Sequence, residues 1–170
     1  MKPRKFFFAL PLLLLGSPAF SKTLDVCFSP LGHCDQVMVS WINSSARSLD
    51  GAIYGLTDPT IAAAFKRAKK RGVAIRLIQD KSQSKDKHAV YRQLQQDDID
   101  LRLLRGSGGG IQHNKFLIID DKYVITGSFN WTMGASHRND ENFVVLDDQT
   151  PRFEKEFARL WDRAMHLRTR

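Results

Sequence analysis

The sequence has two cysteines, Cys27 and Cys34, and no others. A short loop between them can pin a local turn but adds little global stability. No apolar run reaches comfortable bilayer-spanning length, and the longest, Phe6 to Leu15, is interrupted by Pro11. No internal repeat is visible. No carboxylates are clustered to hold magnesium, and no downstream cluster completes a zinc site begun by Cys27, His33 and Cys34. Acidic residues are the minority charge: 18 Asp and Glu stand against 26 Lys and Arg, a formal net charge of +8. That balance favours a polyanionic partner such as nucleic acid or an anionic membrane surface.

What is present begins at the N-terminus. Lys2, Arg4 and Lys5 precede the apolar run, and the small residues Gly16, Ser17 and Ala19, with Pro18 among them, follow it. This order is that of a secretory signal. The expected division is residues 1–19 as signal, cut after Ala19, and residues 20–170 as one domain. An uncleaved anchor is the alternative. The cut removes three basic residues and no acidic ones, so the basic balance survives. Export implies the bacterial periplasm or exterior, with no stable membrane insertion after cleavage. There a Cys27–Cys34 disulfide is the expectation, against metal ligation or free thiols.

Apolar periodicity and turn residues give an alternating order of elements. Strands are expected over 24–29, 48–54, 73–78, 100–104, 116–119, 123–126 and 141–146. Helices are expected over 34–47, 88–96 and 150–166. Another helix is expected to start with Asp58 as N-cap and Pro59 in the first turn, and to stop at Gly72. A strand–helix–strand order over 48–78 implies a parallel βαβ unit. The fold class expected is an α-β-α sandwich around a mixed sheet.

His113 and Lys115 are two residues apart at the start of an expected strand, so both project from one face. The next strand ends at Gly127-Ser128-Phe129-Asn130. If the two strands pair, Ser128 and Asn130 arrive near His113 and Lys115. A nucleophile, a cation and neutral donors then converge as a phosphate requires.

The pattern His113-x-Lys115, Asp120, Gly127-Ser128-x-Asn130 resembles the HKD signature of the phospholipase D superfamily. Glu141 stands where that family has an acidic residue. Ala68-Lys-Lys-Arg-Gly-Val73 and Thr126-Gly-Ser-Phe-Asn130 resemble the small single-motif bacterial endonucleases of Nuc type, and the similarity covers nearly all of residues 20–170. The resemblance implies a two-step displacement through a phosphohistidine on His113. A second histidine protonates the leaving oxygen and then activates water. No second His-x-Lys exists, so the missing half must come from another chain in a homodimer. Lys115 and Asn130 would grip the phosphate, Ser128 would assist, and Glu141 would orient a histidine. Asp120 belongs to the motif, yet its strand parity and turn position point to a structural or orienting role. Neither cofactor nor metal is required, so activity should persist in EDTA.

Several readings stay paired. Gly106–Gly110 is either a close approach to phosphate or a plain connector. Phe129 and Trp131 either stack on bases or sit in the core. Lys81, Lys85 and Lys87 either contact a nucleic-acid backbone or are solvated. His33, His88, His137 and His166 carry no pattern. Three functions compete: a nuclease of low sequence specificity acting on DNA, with RNA as an alternative; a phospholipase acting on headgroups; and a non-catalytic nucleic-acid-binding module. An intact motif argues against the third.

Overall fold

The structure, a computed structural model, describes residues 22–147 and 149–166. The signal segment expected over residues 1–19 lies outside the described residues. Among the described residues, no helix is long and apolar enough to cross a membrane.

Seven strands form one mixed sheet: β1 (Thr23–Ser29), β2 (Ser48–Ile53), β3 (Ala74–Asp80), β4 (Asp100–Leu104), β5 (Lys115–Ile119), β6 (Tyr123–Gly127) and β7 (Glu141–Asp147). Their order is β1-β7-β6-β5-β2-β3-β4. β2, β3 and β4 are parallel, and the other pairings are antiparallel. The helices are α1 (Cys34–Ser44), α2 (Pro59–Lys70), α3 (Tyr91–Gln96), α4 (Met133–His137) and α5 (Thr150–His166). The expected βαβ unit is β2-α2-β3. At its helix start the Asp58 carboxylate accepts the Thr60 N–H at 2.8 Å and the Ile61 N–H at 3.4 Å, with Pro59 at the first position.

Two boundaries move. α1 ends at Ser44 because Ser45 turns extended and its hydroxyl donates back to the Ile42 carbonyl. The helix expected over 88–96 shrinks to α3, preceded by a 3-10 turn at Gln83–Lys85. The short α4, capped by the Thr132 hydroxyl, was not expected.

The sheet faces two unequal cores. On one side Leu49, Leu77, Leu117 and Ile125 pack with α1, α2 and residues of α3 and α4. There the Cys27–Cys34 disulfide ties β1 to α1. On the other side α5 alone lays Phe157, Leu160 and Trp161 over Ile78, Phe116, Ile118 and Val124. Arg102 stacks on the Trp161 ring at 3.7 Å, which anchors α5 over β4. α5 does not reach β1: Leu24, Val26 and Phe28 alternate away from buried Cys27, and Phe28 is 65% exposed. The register runs Phe116, Thr126, Val144, Val26 across the sheet, so this face goes from covered to open.

Asp120 and Asp121, both at positive φ, turn β5 into β6. The Asp120 carboxylate accepts N–H groups from Ala46 at 2.8 Å, Arg47 at 2.6 Å and Ser48 at 2.9 Å. It thereby ties the start of β2 to the β5–β6 turn. Burial pushes this carboxyl upward. The Ser48, Ala46 and Arg47 N–H groups and the Arg47 charge outweigh that and hold its pKa below the ordinary carboxylate value. A depressed folded pKa stabilises above the unfolded value and loses that contribution as pH falls through the folded one. Asp120→Asn should therefore cost about 1.5–3 kcal/mol near neutral pH. In thermal melts across pH, the gap from wild type should close progressively below about pH 3.9. A gap that is constant down the acid range would contradict this role.

Candidate active site

The ends of six strands meet along one edge of the sheet. β5 and β7 begin there, while β1, β2, β3 and β6 finish there. This geometry brings together His113, Lys115, Ser128, Asn130 and Glu141. The structure starts β5 at Lys115, so His113 stands just ahead of the strand, exposed. Lys115 is half-buried, and its ammonium donates to the His113 carbonyl at 3.0 Å. Burial lowers the Lys115 pKa, and the negative charge of Glu141 opposes that shift. Glu141 itself accepts from the Asn139 side chain at 3.3 Å.

Asp120 is not brought to this edge. It follows the far end of β5, about 16 Å from Lys115 at the usual strand rise. Its carboxylate is engaged by backbone donors there.

The Ser128–Trp131 segment is held on both sides. The Asn142 carbonyl accepts the N–H groups of Ser128 at 2.9 Å and Phe129 at 3.1 Å, and the Ser128 hydroxyl accepts the Asn142 N–H at 3.1 Å. The Asn130 side-chain oxygen accepts the Gly55 N–H at 3.3 Å, which leaves its amide nitrogen as a donor. Phe129 and Trp131 are core residues. Phe129 packs edge-on to Phe143, and Trp131 packs on Phe65 above Gly51. They are not placed to stack on bases.

Three contributors carried no sequence pattern. The Tyr54 ring meets the His113 ring edge-on at 4.7 Å between centroids and lies 5.4 Å from the Lys115 ammonium. Its hydroxyl accepts from Gln83 at 2.8 Å. Buried Asp80 accepts the Gln112 N–H at 2.6 Å, and the Gln112 side-chain oxygen accepts the Asn114 N–H at 2.6 Å. The chain on both sides of His113 is thus fixed. Tyr54 and Asp80 each end a strand, and that position was the available signal.

Asp35, Asp58 and His137 bring potential metal-ligand atoms within 4.8 Å of one another, but share no residue with this site. Asp58 already accepts from Thr60, Ile61 and the Ser136 hydroxyl.

Gly127 decides how closely β6 and β7 meet beside Ser128. A Cβ there would lie 2.2 Å from the Asn142 carbonyl oxygen and 2.6 Å from the Phe143 Cα. Gly127→Ala should force the strand ends apart and cost about 1–3 kcal/mol in denaturant unfolding. Gly108→Ala, where a Cβ meets nothing within 4 Å, serves as the comparison. Equal stability of the two variants would refute the requirement.

The family described as cardiolipin synthase, PLD-like domain, matches residues 38–161. The phospholipase D of Rickettsia typhi is 38% identical over 128 residues, 75% of this chain and 62% of that protein. The mitochondrial cardiolipin hydrolase of Xenopus laevis is 29% identical over 161 residues, 92% of this chain and 75% of that protein. The chain spans 60–62% of the length of the Rickettsia relatives it matches. Among solved structures, the phospholipase D family member Nuc from Salmonella typhimurium is similar with a TM-score of 0.77 and 30% identity, over 84% of this chain and 95% of that one. NucT from Helicobacter pylori follows with a TM-score of 0.75 and 27% identity, over 84% and 97%. With the family matched from Met38 to Trp161 and the fold shared over most of both chains, this chain belongs to the phospholipase D-like family of phosphodiester-cleaving hydrolases.

Proposed function

We propose that the chain is an exported phosphodiesterase acting as a homodimer, an endonuclease that cleaves DNA, with RNA as a further substrate, through a phosphohistidine and without a metal ion. The observation that carries this reading is a half-set of reacting groups beside a half-covered sheet. One His113–Lys115 pair stands at the sheet edge, and the strands next to it expose Val26 and Phe28. In-line displacement at phosphorus needs groups on opposite faces of the phosphate. A two-fold partner docking on the open face would bring them.

In the first step a neutral His113 nitrogen attacks phosphorus. A P–N bond forms and the P–O bond to the leaving oxygen breaks. His113 of the partner subunit, protonated, gives its proton to that oxygen. In the second step the same imidazole takes a proton from water, the water oxygen attacks phosphorus, and the P–N bond breaks. Histidine suits both roles near neutral pH. Lys115 supplies positive charge to the phosphoryl oxygens, Asn130 supplies an amide donor, and Ser128 assists. Glu141 sustains the charge on Lys115 and orients a histidine across the interface. Among the described residues the His113 ring has no hydrogen-bond partner within its own chain, which suits that assignment. Export is supported by the order of the first 19 residues and by the disulfide, which fits an oxidising compartment.

A phospholipase is the second reading. It is favoured by the names of the Rickettsia and Xenopus relatives and by Leu31, 90% exposed just beyond β1.

Purified protein should nick plasmid DNA with EDTA present, and His113→Ala should reduce the rate at least ~1,000-fold. Loss on chelation with recovery on added metal would sink the metal-free scheme, and headgroup release from phospholipid vesicles with DNA left intact would select the second reading. Val26→Asp with Phe28→Asp should yield an inactive monomer in sedimentation and turnover assays. A monomer of full activity would defeat the shared site.

A further inference from the structure

The nuclease reading leaves one basic feature unused. A cleft of about 670 Å³ opens at the outer edge of the sheet, where β4 lies between α3 and α5. Lys81, Arg102, Arg105 and Arg163 line it together with Tyr91 and Ser107, and no carboxylate does.

The cations sit on a built scaffold. Arg102 lies flat on Trp161 and donates one nitrogen to Asp100 at 3.0 Å. Its other terminal nitrogen, Nη1, is buried with no hydrogen-bond partner. A buried guanidinium N–H without an acceptor is costly, and an anionic oxygen in the cleft would satisfy it. Arg163 donates to the Ser107 hydroxyl at 2.8 Å and to the Arg105 carbonyl at 3.2 Å, which fixes it against the glycine loop. That loop is closed by the Gly106 N–H donating to the Gly110 carbonyl at 2.9 Å, so it is an ordered turn and not a slack connector. Lys81 and Arg105 are exposed at the rim, and neither forms an ion pair among the described residues.

Two links join the cleft to the active site. Asp80, beside Lys81, holds Gln112, beside His113. The glycine loop also runs from Arg105 directly to His113. β4 is three strands from β5, a lateral distance of about 14 Å. Along one strand of B-form duplex that is roughly four phosphates. A phospholipid headgroup has no phosphate at that reach, whereas a nucleic-acid strand does.

We infer that this cleft is a second phosphate-binding subsite, where Lys81, Arg102, Arg105 and Arg163 hold the backbone of a nucleic-acid strand a few nucleotides from the scissile bond. The inference rests on the nuclease reading and extends it to polymeric substrates. It also assigns Lys81 from the sequence-level pair of alternatives to substrate contact.

The test compares three substrates on the intact dimer: bis(p-nitrophenyl) phosphate, a dinucleotide and long single-stranded DNA. The wild type should favour long DNA over the dinucleotide. Lys81→Glu with Arg105→Glu should lower kcat/KM for long DNA, relative to the small diester, by about 10-fold or more, chiefly through KM. The slope of log affinity for long DNA against log salt should fall by about two, one for each lost phosphate contact. Arg105→Gln, a milder change, should give an intermediate loss and guards against misfolding. If the wild type cuts long DNA and the variants lose all three substrates equally, or none, the cleft is not a subsite. If the wild type turns over the small diester and phospholipid vesicles but not DNA, the nuclease reading fails and the subsite fails with it.

Discussion

Antiparallel pairing of β5 with β6 is the constraint on which the site depends. It folds the chain back at Asp120–Lys122, so that residues just before one strand and just after the other stand side by side. No local structure could achieve that. A helix or loop carrying His113 and Lys115 would have no reason to meet Ser128 and Asn130. The pairing holds because both strands are central, flanked by β2 and β7, with apolar residues on both faces. The Asp120 carboxylate secures one end of this hairpin, and the approach of Gly127 to β7 secures the other.

The hairpin was legible in the sequence because its signals are local: two apolar runs, a tight polar turn and a spaced motif. The helix start at Asp58-Pro59 was legible for the same reason. What remained hidden depends on partners distant in the chain. Gly127 is required by a carbonyl on β7, and nothing near position 127 announces that contact. Tyr54, Asp80 and Gln112 support His113 through contacts between separate strands and loops. Phe129 and Trp131 flank a site residue, so their chemistry alone left them ambiguous. Phe143 and Phe65 settle the matter by burying them.

Charge and apolar surface are divided across the molecule. At the β4 edge, α5 and the glycine loop collect arginines around a cleft free of carboxylates. At the β1 edge, the sheet is left uncovered and apolar. Both features trace to the placement of α5, which shields half of one face and brings Arg163 to the loop. One helix therefore determines which region can accept anions and which can accept another apolar face.

β1 is an outermost strand, with β7 as its sheet neighbour. Free backbone groups on such an edge are a template on which a foreign strand can add, and exposed apolar side chains make that addition more favourable. The Cys27–Cys34 bridge crosses from this strand to α1, behind the surface that carries Val26 and Phe28. A strand tied covalently to the helix beneath it cannot peel away or slip its register with β7. The small loop thus does a task out of proportion to its size: it guards the chain's most aggregation-prone margin while leaving that margin's outward side chains uncovered.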